Sequence, residues 1–396
     1  MKKTQLLIVV MGLILSISSG YSQYASALPF LLINPSPTAT AMGDVGVASN
    51  PDDAFNIAMN PAHLGGLSRQ HNFLLTTNLT NGYRFDRSDI GLQFGMDLKD
   101  ITGIPLYAGI GYLRQGIDLG EFNIYDDNGH VLAIFESHES SNSIALGASI
   151  DYGVEISLGL TYKFLSSTLR PAGNISDDGT STGGALDAGI LFSIPILKKF
   201  TIIGDLNTDL MTNIGYSIHN MGDEIEYNRE KDPLPFNDRI GYSISANFNL
   251  PIENIEYSML VIDWTAETKE FLVNRDTLST KYDSPFSNVN IIENIFLLNK
   301  TGKGIQVAHG LKLTAFEAFA YMIGKYENDI LDYSTSGFEV STKGIIKFLS
   351  NNFDNNIIKY VNNHLEIVYS QVTITNKQNL YINFSALNLR INNINF

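Results

Sequence analysis

Cysteine is absent from the 396 residues, which excludes disulfides, thiol nucleophiles and thiolate metal sites. Long apolar runs are missing too. The longest, Leu6 to Ile17, falls short of the roughly 20 residues of a spanning helix, so a membrane-crossing form of this chain has to be a closed barrel. Basic residues are scarce, 26 against 41 acidic for a net charge of −15, which argues against nucleic acid as a partner. A single tryptophan beside 19 tyrosines and 22 phenylalanines suits aromatic girdles at a membrane interface better than a stacking site.

Catalytic and metal-binding patterns are also lacking. His138-Glu139-Ser140-Ser141-Asn142 opens like a zinc-protease helix, but Asn142 stands where the second histidine belongs. Tyr125-Asp126-Asp127-Asn128-Gly129 has the flavour of a calcium loop without the closing acidic residue. There is no G-x-S-x-G elbow and no phosphate loop. The expectation is a protein with no enzymatic activity, no metal and no cofactor.

What is present begins with a leader. Lys2 and Lys3, the apolar run, and Ser18, Ser19 and Gly20 read as a secretory signal peptide over residues 1–23, cut near Gln23 or after Ala27. Residues 24–68 then form an irregular segment. Pro35, Pro37, Pro51 and Pro61 break any ladder, while Gly43, Gly46, Gly65 and Gly66 allow bends. Its many apolar residues, Met42, Val45, Phe55 and Ile57 among them, need cover, so the segment is read as a plug enclosed by the rest of the chain.

From residue 69 to 396 the dominant period is two. In Val154 to Phe164 the odd positions carry Glu155, Ser157, Gly159, Thr161 and Lys163, and the even ones Leu158, Leu160 and Tyr162. About fourteen strands fit, joined by alternating short and long connections. Tight turns fall at 151–153, 195–198, 250–253 and 314–315, and long loops at 118–141, 167–183, 220–237 and 267–303. That parity is the pattern of outer-membrane barrels, short turns inside and long loops outside. Asn128-Gly129 reads as a primed turn at the tip of a projecting hairpin. Residues 344–363 switch to helical spacing and read as one or two short amphipathic helices on the periplasmic side. The fold class is therefore all-β, a transmembrane antiparallel β-barrel of about fourteen strands with an N-terminal plug.

Met42-Gly43-Asp44-Val45-Gly46-Val47-Ala48, Asp53-Ala54 and Asn60-Pro61-Ala62 resemble the N-terminal signature of the PorV/PorQ family of Bacteroidetes outer-membrane proteins. That family is similar in turn to FadL-type barrels, whose plug also carries Asn-Pro-Ala. Gly159-Leu160-Thr161-Tyr162-Lys163-Phe164, Gly184 to Gly189, and Asn220-Met221-Gly222 leading to Pro233-Leu234-Pro235 and Arg239-Ile240-Gly241 extend the likeness. The resemblance implies an integral outer-membrane protein that docks type IX secretion cargo, with translocon subunits and cargo C-terminal signal domains as partners beside membrane lipid. A FadL-like channel for a hydrophobic small molecule is the alternative, and a soluble secreted β-sandwich adhesin the third reading.

The candidate site residues fall into three groups. Met42, Gly43, Asp44, Asn60, Pro61 and Ala62 form the plug motif, with Asn60 expected to bond neighbouring backbone through its side chain. Asp187 is a candidate lumen polar group. Phe271, Tyr282, Phe286, Ile291 and Phe296 give the loop 267–303 an apolar load, read as a docking patch or a lid over the barrel mouth.

Overall fold

The structure is a computed structural model and describes residues 26–80, 86–126, 128–169, 180–227, 230–252, 255–276, 279–328, 332–376 and 381–393. The expected leader and terminal Phe396 lie outside the described residues.

Fourteen strands close into one antiparallel barrel. They are β1 (Phe73–Thr80), β2 (Asp86–Asp97), β3 (Leu106–Tyr125), β4 (Val131–Asp151), β5 (Glu155–Thr168), β6 (Thr180–Ile203) and β7 (Leu206–Gly222). The circuit continues with β8 (Asn237–Ile252), β9 (Ile255–Phe271), β10 (Ile305–Ala315), β11 (Phe319–Glu327), β12 (Asp332–Ser341), β13 (Leu365–Asn376) and β14 (Tyr381–Ile391). Each pairs with its sequence neighbour, and β14 returns to β1 through Phe73 opposite Ile391. A closed single sheet rules out the sandwich.

Alternation sets the two faces. On β5, Leu158 is 57% exposed and Ser157 only 1%, so the apolar set faces outward and the small and polar set faces the lumen. Outward-facing Leu146, Ile214 and Ile323 continue the apolar exterior on other strands, which is the surface a bilayer requires.

β3 and β4 run about twice the 9–11 residues of a spanning strand, so the upper part of the expected 118–141 loop is a projecting continuation of the sheet. Its tip differs from the primed turn. Among its described residues only Gly129 takes a positive φ, 84°; Asp126 accepts from the Asn128 and His130 amides through its side chain. The turn expected at 195–198 is also displaced. β6 passes through Pro195, shifts register just beyond it, and turns at Gly204, φ 55°, because local bulges absorb the missing proline donor.

Two helices, α1 (Thr342–Asn352) and α2 (Asn356–His364), fill the long connection at the short-turn end. Lys347 ties α1 to the turns there, donating to the Glu256 carbonyl at 2.8 Å and pairing with Glu317 at 2.5 Å. Burial alone would raise the Glu317 carboxyl pKa, but Lys343 and Lys347 outweigh it and hold it below the usual range.

The plug runs the length of the lumen. Its first described residues sit among the long loops, where the Ala27 amide donates to the Pro233 carbonyl at 2.8 Å. Its last sit at the short-turn end, where Arg69 pairs with Asp151 and Glu155. The chain therefore threads from the long-loop mouth, expected to face outside, to the short-turn mouth before β1 begins.

Candidate functional site

The plug is held by two different kinds of wall. Along β2 to β6 the wall is glycine. Gly95, Gly109, Gly147, Gly159 and Gly189 pair across five consecutive strands. A Cβ at Gly109 would stand 2.4 Å from the Leu64 carbonyl oxygen, at Gly159 2.2 Å from the Pro61 carbonyl carbon, and at Gly189 1.9 Å from Asn60 Oδ1. Only a wall without side chains admits the plug backbone this closely. Phe55, Ile57, Leu64 and Leu67 then pack in one buried cluster with Leu74, Leu113 and Ala145 of the barrel.

Along β8 to β14 the wall adds charged side chains to its glycines. Glu267 Oε2 accepts from the Gly46 and Val47 amides at 2.8 and 2.9 Å, and its other oxygen accepts from Arg239 at 2.9 Å. Thr38 donates to Glu339, which pairs with Lys312 at 2.5 Å. Thr335 Oγ1 donates to the Ala41 carbonyl and accepts from the Gly43 amide. Arg390 pairs with Asp52 at 2.8 Å and with Glu366 at 3.0 Å. Glu267 and Thr335 satisfy plug backbone that no ladder reaches, while Glu339 and Arg390 hold plug side chains.

The motif residues occupy the contact. Met42 and Gly43 lie against the paired Gly310 and Gly324, and Gly43, at φ 86°, has Lys325 and His309 carbonyl oxygens where a side chain would go. Asp44 also adopts a left-handed φ of 69°; its carbonyl accepts from Arg239 at 3.4 Å. Asn60 is fully buried and does what its sequence context implies: Oδ1 accepts from Ala62 N at 3.0 Å, and Nδ2 donates to the Val47 and Ile190 carbonyls. Pro61 and Ala62 open the short helical turn beyond it.

The plug's buried ionisable groups are matched to this setting. Burial lowers the His63 pKa to about 4, so the ring is neutral and Nε2–H donates to the Gly46 carbonyl at 2.8 Å. Burial raises Asp53 to about 6, although the Ser36 hydroxyl donates to it at 2.5 Å. Burial likewise works against an ionised Asp52, but Arg390 and His71 overcome it and hold the carboxyl well below its usual range. Asp52 in turn keeps His71 above its ordinary value despite burial.

Asp187 does face the lumen side, buried completely, but it binds wall to wall. It pairs with Lys163 at 2.8 Å and His219 at 3.2 Å and accepts from the Asn220 amide at 2.8 Å, filling a gap where the β6–β7 register shifts.

The loop residues expected to form a docking patch are dispersed. Phe271 ends β9 beside Lys269, and Tyr282 stands near Phe236. Phe286 packs on Tyr216 and Phe296 stacks on Tyr242. Tyr216 and Tyr242 belong to the outward face, alternating with the plug-facing Gly215 and Gly241, so this part of the loop lies neither over the mouth nor out in solution. It covers the outside of the wall, and Ile291 lies exposed on it.

Glu267, Glu339 and Arg390, which belong to no sequence motif, hold the plug together with Arg239, which opens the Arg239-Ile240-Gly241 match. The glycines do leave a trace in the sequence: one recurs in strand after strand.

Spaces border the plug at both ends. Toward the long-loop mouth, expected to face outside, an outer cavity of about 190 Å³ lies between plug residues Leu32, Ile33, Asn34, Thr40 and Asp44 and the lumenal Tyr326, Tyr333, Thr335, Ile374 and Ile382. Toward the short-turn mouth a vestibule of about 750 Å³ is lined by charge, including Asp52, Asp263, Lys312, Glu339 and Arg390.

No protein-family model matches the chain, and no curated protein matches it either. Among solved structures it is similar to the Pseudomonas putida toluene transporter TodX, at 10% identity over 90% of this chain and 96% of that one, with a TM-score of 0.37. It is similar to the CymD monoaromatic hydrocarbon channel at 11% identity, over 90% and 96% of the two chains, TM-score 0.37. It is also similar to the translocator domain of the autotransporter NalP from Neisseria meningitidis, at 9% identity, 81% and 85% coverage, TM-score 0.34. Likenesses this remote say nothing of what this chain carries; its barrel stands on its own strand pairing.

Proposed function

We propose that the protein is an outer-membrane channel that takes up a small, weakly polar molecule from outside and releases it past the plug. The outer cavity carries this reading. Leu32, Ile33, Ile374 and Ile382 make it mainly apolar, and the stacked rings of Tyr326 and Tyr333, 5.5 Å apart, form one side. A dry apolar cavity of about 150 Å³ is enough for benzene, so this one has room for a single ring or a short chain, with the unpartnered Asn34 Nδ2 available to a hydroxyl.

The barrier to passage is thin. Thr335, Gly337 and Glu339 face the lumen in succession on β12: Thr335 borders the outer cavity, Ala41 covers Gly337, and Glu339 borders the vestibule. Four residues of strand, about 13 Å, separate the two spaces, and the helix Pro37–Ala41 lies between them. That helix is held by polar bonds from Thr335 and Glu339, which exchange with water at modest net cost. Nothing in this geometry favours the docking role in type IX secretion over uptake.

The test is uptake of a labelled monoaromatic into proteoliposomes. Filling the cavity with Ile374→Trp should reduce uptake, and a Thr38→Cys, Glu339→Cys pair should block it under oxidation and restore it on reduction. Uptake indifferent to both changes, in barrels that remain inserted, would overturn the channel reading.

A further inference from the structure

The outward face of the barrel has a strip that should not face lipid. Asp238 on β8 and Thr268 and Glu270 on β9 alternate with the lumen-facing Arg239, Glu267 and Lys269 and so point outward, yet they are 1%, 1% and 0% exposed. Residues 284–298 cover them. Glu270 Oε1 accepts from the Ser287 hydroxyl and from both nitrogens of Asn288, at 2.7 to 2.8 Å. Phe286 and Phe296 pack on the outward-facing Tyr216 and Tyr242. The segment is a built element: Asn290 caps the helical turn Ile291–Phe296, and buried Asn294 bonds the Asn299 and Thr301 carbonyls.

Its own outer surface is apolar. Ile291, Ile292, Phe296 and Leu297 are between 49% and 65% exposed. They continue the lipid-facing surface, because Tyr242, under Phe296, stands two positions from outward-facing Ile244 on the same strand. We propose that residues 284–298 form an external flap embedded in the outer leaflet, with Ile291, Ile292, Phe296 and Leu297 against acyl chains and their backs sealing a polar strip of wall from lipid. Carboxylates at this height cost free energy against acyl chains; the flap replaces lipid there with hydrogen-bond donors. An apolar turn lying in the interface plane gains by the area it buries.

The flap rests on the barrel being in a bilayer, not on what it transports. Because the chain has no cysteine, a single introduced thiol reports one position. Full-length Ile292→Cys, Phe296→Cys, Leu158→Cys and Asn128→Cys proteins, each labelled with an environment-sensitive fluorophore, would be placed in phosphatidylcholine vesicles containing lipids spin-labelled along the acyl chain. Quenching at positions 292 and 296 comparable to that at 158, and well above that at 128, is expected. Quenching at 158 but not at 292 and 296 overturns the flap alone. Quenching at none of the four overturns the membrane barrel and the flap with it.

Discussion

The two halves of the plug lie in one lumen under different physics. Residues 54–68 rest on a glycine ladder, backbone against backbone, with an apolar cluster behind them. Residues 36–53 are held mainly by side chains of opposite charge reaching in from β8 to β14, beside the glycines there. Close packing is insensitive to pH and salt but intolerant of added volume. Charge-assisted bonds tolerate small displacements but depend on protonation and on both partners being present. The half held by polar bonds is also the half between the outer cavity and the vestibule. A plug that must yield somewhere while remaining attached has reason to be built this way.

The largest effect should come from adding volume to the ladder. Gly159→Leu has no space within the plug contact, so barrels should fail to assemble with the plug inside, leaving residues 54–68 open to protease. Gly153, with nothing within 4 Å of a Cβ, should tolerate alanine apart from the cost of its positive φ. Equal outcomes at the two glycines would remove the packing account.

Next comes removal of one charged partner. Glu267→Ala strands Arg239 and two plug amides and should cost about 3–5 kcal/mol, read as a lowered urea midpoint. The loss should localise to residues 44–48 in amide exchange, leaving 57–64 protected. A uniform loss of protection would mean that the halves are not independent.

On the strand that carries Gly159 toward the plug, Leu158→Arg tests the opposite face. It should cost about 2–4 kcal/mol if the position lies near the bilayer midplane, while leaving plug protection unchanged.

The smallest effect is that of pH. A histidine whose folded pKa is raised, as Asp52 raises that of His71, contributes fully below its unfolded value of 6.5 and loses that contribution as pH rises through the folded value. Asp52, depressed in the folded state, contributes above its unfolded 3.8 and is lost only in strong acid. Raising pH from 6 toward 9 should therefore loosen residues 50–53, beyond the intrinsic rise in exchange chemistry, and leave the ladder half alone.

Much of this was legible in the chain. Strand number followed from period two, because a barrel wall between lipid and lumen forces the alternation at every position. The plug followed from apolar residues among prolines, and the bonding of Asn60 from its place before Pro61. The placement of residues 267–303 was not legible, because a sequence shows that apolar side chains need cover without showing which surface supplies it. Here the cover is Tyr216 and Tyr242 on the outside of the wall, residues far away along the chain.

What the sequence determined by itself is therefore local and periodic: the strands, which face of each is apolar, and the irregular segment that must be enclosed. The tertiary structure decided everything that depends on one segment meeting another. It aligned Gly95, Gly109, Gly147, Gly159 and Gly189 into one ladder and brought Glu267 to the amides of Gly46 and Val47, about 220 residues away along the chain. It also threaded the plug from the long-loop mouth to the short-turn mouth. Periodicity is written in neighbours, whereas register and contact arise only when the barrel closes and fixes which strands stand side by side.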